Sequence, residues 1–251
     1  MEDVQEIIDT FCSNKGLEAS PYKLKWYNSA LTNDKFRMDF APEDSLAFVI
    51  ISQPCMFEKA FLPYIKDHWE DILNNTIQDP LDQCMKHTFE CLKQELTHLD
   101  HDLKAFHDFE LGPASRRPKI LVQTAAHVSG AVRFYQKVDA NPAMLQEEEN
   151  GKVFPVCLHP KFGGWFAIRG AFIFPNIPAP QDLIMKNPPE ILQSPDEVSD
   201  LLNLYNLHWR DNRFRNCGGN IEEQYSASQQ TYFSLKPGPE RISYLAKLLD
   251  L

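Results

Sequence analysis

The chain has 251 residues and a formal net charge of −10, with 43% apolar and 12% aromatic residues. That acidic balance argues against a nucleic-acid surface, which needs dense Lys and Arg to displace phosphate counterions. No apolar run approaches the ~20 residues of a membrane-spanning helix, and the acidic start MEDVQEIIDTF lacks the basic region of an export signal.

A soluble cytoplasmic chain is therefore expected. Its cysteines, Cys12, Cys55, Cys84, Cys91, Cys157 and Cys217, form no C-x-x-C pair and no zinc spacing, so they are read as reduced thiols, most of them in the core.

In chain order, Val4, Ile7, Ile8 and Phe11 recur at helical spacing. PYKLKWYNSALTNDKF reads as irregular and turn-rich. SLAFVIIS (45–52) is a short run of branched apolar residues, a buried strand. CMFEKAFLPYIKDHW and DPLDQCMKHTFECLKQEL carry helical periodicity, and Asp79 before Pro80 is a cap and first-turn pair. PKILVQ (118–123) reads as a strand followed by a helix of small residues. GWFAIRGAFIF is the clearest strand, and PNIPAPQDLIMKNPPE is a proline-rich connection near 175–195 suited to a mobile or wrapping loop. PDEVSDLLNLYNLHW and PERISYLAKLLDL read as helices. Helices between separated strands predict one α+β domain over 1–251.

Three stretches have the residue types for chemistry. In the strand GWFAIRGAFIF, strict alternation puts Phe166, Ile168, Gly170, Phe172 and Phe174 on a core face. Trp165, Ala167, Arg169, Ala171 and Ile173 fall on the other, with Arg169 between two alanines. A desolvated guanidinium needs an anionic or hydrogen-bonding partner. Either a neighbouring Asp or Glu supplies it, or a ligand carboxylate or phosphate does. Gly163 and Gly164 allow a tight turn or a close backbone approach.

The second stretch, RRPKILVQTAAHVSGAVRFYQ, has almost no side-chain bulk at Thr124, Ala125, Ala126, Ser129, Gly130 and Ala131. Such a surface admits another packed element or a planar cofactor, and His127 within it is a core histidine or a pocket residue. The third, HWRDNRFR, holds Arg210, Arg213 and Arg215 near Asp211, either as a solvated face or as an anion clamp that Arg241 could join. His98 and His101 in THLDHD are a poor metal site, and no phosphate-loop, dinucleotide, nucleophile-elbow or zincin motif is present.

RRPKILVQTAAHVSGA and HPKFGGWFAIRG, with DPLDQC, WYN and HWRD in the same order, closely resemble the cobalamin-processing proteins of the C complementation group, the CblC family. The resemblance covers roughly 21–245. It implies a flavin-nitroreductase-like fold with a mostly antiparallel sheet. It also implies removal of the upper axial ligand of cobalamin, by two routes. Alkylcobalamins lose the alkyl group to glutathione, and cyanocobalamin is decyanated with electrons from reduced FMN or FAD. The glutathione-binding arginines of the family fall at Arg169, Arg215 and Arg241. Cobalamin contacts fall at Asp108, Ile120, Leu121, Val122, Gln123, Phe134, Tyr135, Gln136, Cys157 and Ile168, while His127, Gly163, Gly164 and Trp165 shape the pocket.

No catalytic acid or base of the chain is implied, and no metal other than the cobalt of the substrate. The chain has no D-x-H-x-x-G, the motif that replaces the lower cobalt ligand with histidine, so cobalt left without a lower nitrogen donor should be easier to reduce. The resemblance further implies a chaperone-like handover to a D-group trafficking protein, and a monomer or ligand-dependent homodimer. Two departures, RFYQ in place of consecutive tyrosines and the segment NPAMLQEEENGK, leave room for a thiol oxidase side activity. A flavin-dependent reductase of small organic substrates and a non-catalytic cobalamin carrier are the competing readings.

Overall fold

The computed structural model describes residues 4–74, 79–112, 116–146, 151–219 and 221–250. Its centre is a four-stranded sheet in the order β1 (Leu17–Lys23), β2 (Ser45–Ser52), β6 (Ala167–Pro178), β3 (Lys104–His107), with every neighbour antiparallel. The α+β class and the mostly antiparallel sheet are as expected. All eight residues of β2 are buried, because both faces of this central strand are covered.

On one face, Leu46, Phe48, Ile50, Phe172 and Phe174 pack against α1 (Val4–Asn14), a π turn at Phe57–Phe61 running into α3 (Leu62–Asp67), and α5 (Pro80–Leu96). The short α4 (Trp69–Leu73) and the C-terminal α9 (Pro239–Leu249) add Ile72 and Leu245 to this cluster. On the other face, Ala47, Val49, Ile51, Ala171 and Ile173 meet α2 (Leu24–Ala30), α6 (Val122–Val128) and the segment from Phe162 to Phe166. A third cluster joins the hairpin β4 (Arg133–Tyr135) and β5 (Val156–Leu158) to α7 (Pro195–His208).

The helix ends follow local rules. Asp79 accepts the backbone N–H groups of Leu81 and Asp82 at 3.0 and 3.1 Å, and Pro80 occupies the first turn of α5. Ser194 caps α7 and Ser226 caps α8 (Ala227–Ser234) in the same way.

Two expectations fail. PYKLKWYNSALTNDKF is not irregular: it completes β1 and forms α2. Pro21 hides the strand, and it is tolerated because β1 is an edge strand with one partner. PKILVQ is not a strand. Pro118 makes a single bridge to Leu111, and the chain turns into α6 at Val122. Ile120 and Val122 are buried all the same, so the apolar run reflects core plugging rather than pairing.

The proline-rich stretch is also shorter than its composition suggests, since β6 continues through Pro178. The segment NPAMLQEEENGK includes residues 147–150, which lie outside the described residues. All six cysteines are free. Among the described residues no helix is long and apolar enough to cross a membrane.

Candidate functional site

The strand β6 does not alternate strictly. Its register with β2 slips between Ile50 and Ile51, so that Ile50 faces Gly170 and Ile51 faces Ile168, leaving Arg169 as the extra residue of a bulge. The face assignment made from alternation holds after Gly170 and is wrong before it. Ile168 packs with Ala171 and Ile173, not with Phe172 and Phe174. Gly170 permits the bulge, with φ +151°, and a side chain there would collide with the Phe106 carbonyl.

Arg169 is 8% exposed. Its Nε donates to Ser52 Oγ at 3.0 Å, at the end of β2. Its electrostatic neighbours are Asp82 and Cys84 of α5 and Asp108 beyond β3, so the guanidinium lies on the α5 side of the sheet. Among the described residues it forms no ion pair with either acid, and Nε to Ser52 is its one hydrogen bond.

Arg215 reaches the site from a 3-10 turn, Arg213–Asn216, after α7. Gly163 and Gly164 explain its position. A Cβ on Gly164 would sit 2.8 Å from Arg215 Cα, so the paired glycines serve a close approach by the chain's own backbone. They also close a tight turn in which His159 and Gly163 exchange backbone hydrogen bonds at 2.8 and 2.9 Å. His159 anchors that turn: Nδ1 accepts from Lys161 N–H at 3.1 Å, and Nε2 lies 3.5 Å from Glu18 of β1. Arg215 donates Nε to Asn212 Oδ1 at 3.0 Å and Nη1 to the Gly164 carbonyl. Its guanidinium stacks over Phe214, Tyr225 and Trp165, and Trp165 Nε1 is held by Asn216.

From Trp165 an aromatic row runs through Tyr225 and Phe233 to Tyr232. Arg241 covers its far end, 4.9 Å from the Tyr232 ring, with Nε on the Leu235 carbonyl at 3.1 Å. Arg215 and Arg241 thus flank one row of rings. Phe57, five residues past Ser52, touches the same row at Tyr232 and Phe233. The row and Arg169 therefore belong to the same end of the sheet.

The remaining residues surround α6 and the β4–β5 hairpin. Ala125 and Ala126 are buried against the sheet and α2, so the small residues serve ordinary packing. Leu121, Gln123, Thr124 and His127 keep exposed surface, whereas Ile120 and Val122 are core. Tyr27 Oη accepts Leu121 N–H at 3.1 Å and fixes the entry to α6. Phe134 and Cys157 face each other across the hairpin, both half-buried. His127 Nδ1 accepts Phe134 N–H at 3.4 Å, and burial holds its pKa below the usual histidine value. Gln136 is exposed. Tyr135 is buried, and its hydroxyl accepts the N–H groups of Ile191 and Leu192 at 3.1 and 2.8 Å, while Arg133 pairs with Glu190 at 3.2 Å. Two residues of β4 thereby pin the proline-rich connection.

Asp108 belongs with Arg169: its N–H donates to the Arg169 carbonyl at 3.1 Å. Burial pushes its carboxyl up to about 6, against the opposing pull of Arg169, and Oδ1 is buried without a partner. Burial also pushes up the thiols of Cys12, Cys55, Cys84, Cys157 and Cys217, the first and third to about 12 and the last to about 11. None of these five supplies a thiolate at neutral pH. Ser52, Asp82, Tyr225 and Asn212 line the site and escaped the sequence reading. Only the capped start of α5 hinted at one of them, Asp82.

The profile of the methylmalonic aciduria and homocystinuria type C family matches residues 16–245. This chain belongs to that family. It is 40% identical to the "cyanocobalamin reductase / alkylcobalamin dealkylase" of Gallus gallus over 230 residues, 92% of this chain and 90% of the relative. The Homo sapiens protein of the same name is 38% identical over 96% of this chain and 80% of its own length. A crystal structure of a B12-trafficking protein, CblC, from C. elegans superposes with a TM-score of 0.85. It is 29% identical and covers 96% of this chain and 94% of that one. The resemblance read from the two long motifs is thus shown, and it places this chain in a family of enzymes. The fold it implied stands as well.

Proposed function

We propose that this chain removes the upper axial ligand of cobalamin, using glutathione for alkylcobalamins and reduced FMN or FAD for cyanocobalamin. The observation that carries this reading is the bulged Arg169, almost fully buried yet left without an ion pair among the described residues, beside Asp108 and Ile168. Three arginines at one end of the sheet suit a tripeptide with two carboxylates, and guanidinium groups favour a bound thiol as thiolate.

In the alkyl route the thiolate sulfur attacks the cobalt-bound carbon. An S–C bond forms, the Co–C electron pair stays with cobalt, and the products are a thioether and cob(I)alamin. The nucleophile comes from the co-substrate, consistent with five chain thiols whose burial keeps them protonated. Arg169, Arg215 and Arg241 hold the glutathione. Asp108, Leu121, Gln123, Phe134, Cys157 and Ile168 offer half-exposed surface to the corrin and its nucleotide tail, with Ile120, Val122 and Tyr135 supporting them from the core and Gln136 at the rim. In the decyanation route, reduced flavin, as a diffusing co-substrate, would supply one electron that takes cobalt from Co(III) to Co(II), while cyanide leaves with its bonding pair. The processed cobalamin then passes to a D-group trafficking protein.

The test is methylcobalamin with glutathione and the purified chain, without oxygen. S-methylglutathione and cob(I)alamin in equal amounts are expected. Tight corrin binding with the methyl group retained would make the chain a carrier and overturn the dealkylase reading. In air, glutathione disulfide in excess of bound cobalamin would register the thiol oxidase side activity, and a stoichiometric yield would exclude it.

A further inference from the structure

Arg169, Asp82 and Asp108 influence one another electrostatically without pairing. Arg169 is nine-tenths buried, and among the described residues the only hydrogen bond of its side chain is Nε to Ser52. Asp108 Oδ1 is buried with no partner. Asp82, half-buried in the first turn of α5, uses its backbone N–H on Asp79, but its carboxylate meets no donor among the described residues. Phe89, two turns along α5 from Asp82, lies against Gly170, which sets this helix over the Arg169 bulge, and Asp108 bonds the Arg169 backbone. The positive charge of Arg169 accordingly pulls both carboxyls down against the effect of burial.

A buried guanidinium beside two carboxylates would ordinarily collapse into an ion pair, since unpaired burial costs several kcal/mol per charge. Here the strand bulge and the helix start hold the opposite charges apart. A simple anion would satisfy Arg169 but be repelled by the acids, and a simple cation would suffer the reverse. A group that satisfies both signs must be dipolar, with carboxylate and ammonium on neighbouring atoms. The head of an α-amino acid has that arrangement.

We propose that Arg169 and Asp82 form a subsite for the α-amino-acid head of the thiol co-substrate, the guanidinium taking its carboxylate and the Asp82 carboxylate its ammonium. The inference rests on the glutathione reading above and adds to it which end of the tripeptide lies where. The γ-glutamyl end carries both charges and goes to Arg169. The glycine end carries only a carboxylate and goes to Arg215 and Arg241, whose neighbours are aromatic rings and backbone carbonyls. The subsite makes the enzyme selective for thiols with a free α-amino group.

The experiment compares glutathione with glutaryl-cysteinyl-glycine, the same tripeptide lacking the α-amino group, as acceptors of the methyl group of methylcobalamin without oxygen. The wild type should show a KM about tenfold to a hundredfold higher for the desamino thiol, the loss expected from one charged hydrogen-bond partner. Asp82→Asn should bring the two KM values within about twofold by raising that for glutathione, while Asp82→Glu keeps the preference. Equal KM values in the wild type, or a full preference surviving in Asp82→Asn, would overturn the subsite and leave the dealkylase reading standing. Absence of methyl transfer to either thiol would overturn that reading and the subsite with it.

Discussion

Gly164 and Arg215 hold each other by two hydrogen bonds: the Gly164 N–H donates to the Arg215 carbonyl at 2.9 Å, and Arg215 Nη1 donates to the Gly164 carbonyl. The pairing ties a turn that precedes β6 to a turn that follows α7. It leaves one face of the guanidinium among Trp165, Phe214 and Tyr225. A methyl group at 164 would press on the Arg215 backbone, which cannot rotate away as a flexible side-chain end could. Gly164→Ala should therefore cost about 1–3 kcal/mol of stability. It should also raise the KM for glutathione with cobalamin affinity kept. Thermal melts and KM measurements check both, and an unchanged KM would show that Arg215 takes no part in thiol binding.

Arg169 separates structural from functional burial. Arg169→Ala removes the guanidinium from Ser52 and from the two unpaired acids. The KM for glutathione should rise about tenfold to a hundredfold, as for loss of a charged hydrogen-bond partner, while corrin affinity stays within about twofold. Spectral titration with methylcobalamin and thiol-dependent methyl transfer measure the two separately. Equal losses in both would mean that Arg169 is a packing residue.

Asp108 gives a pH dependence with a definite sign. Its carboxyl is raised from 3.8 to about 6 by burial, with Arg169 lowering it and Asp82 raising it further. The folded chain then holds a proton that the unfolded chain has released, so stability falls as pH rises from about 4 to about 6. Roughly two pH units at ~1.4 kcal/mol each put the cost of the ionised form near ~3 kcal/mol at neutral pH. Asp108→Asn should raise Tm at pH 7 and leave it unchanged near pH 4. A gain of equal size at both pH values would trace the effect to something other than ionisation.

Much of this frame is legible in the sequence, because the run SLAFVIIS, the Asp79–Pro80 cap and the helical stripes are local signals. Arg169 too is visible as a charge inside an apolar strand. The bulge is not visible to a period-two reading, which carries no extra residue, although a glycine inside a strand is itself a bulge signal and Gly170 follows Arg169 directly. The edge strand β1 is disguised by Pro21, and β3 is only four residues with Lys104 at its exposed end. Asp82 and Ser52 lie 30 residues apart in sequence, and only the fold sets them both near Arg169. The same holds for the glycine pair, whose partner Arg215 is 51 residues away.

Tyr27 ties α2 to the entry of α6. Its hydroxyl donates to the Phe36 carbonyl at 3.2 Å and accepts the Leu121 N–H at 3.1 Å, and its ring is fully buried against α6. Replacing Tyr27 with Phe keeps the ring but leaves the Leu121 N–H without its acceptor, at a cost of about 1–3 kcal/mol. The lost bond also frees the entry to α6, where Ile120 to Gln123 stand, the residues read as cobalamin contacts. Tyr27→Phe should therefore weaken cobalamin binding and leave the KM for glutathione nearly unchanged, the reverse of Gly164→Ala. Spectral titration of methylcobalamin beside a thiol KM measurement decides it. If both constants move together, the two ligand regions are one mechanical unit, and the separation drawn between the entry to α6 and the arginine positions fails.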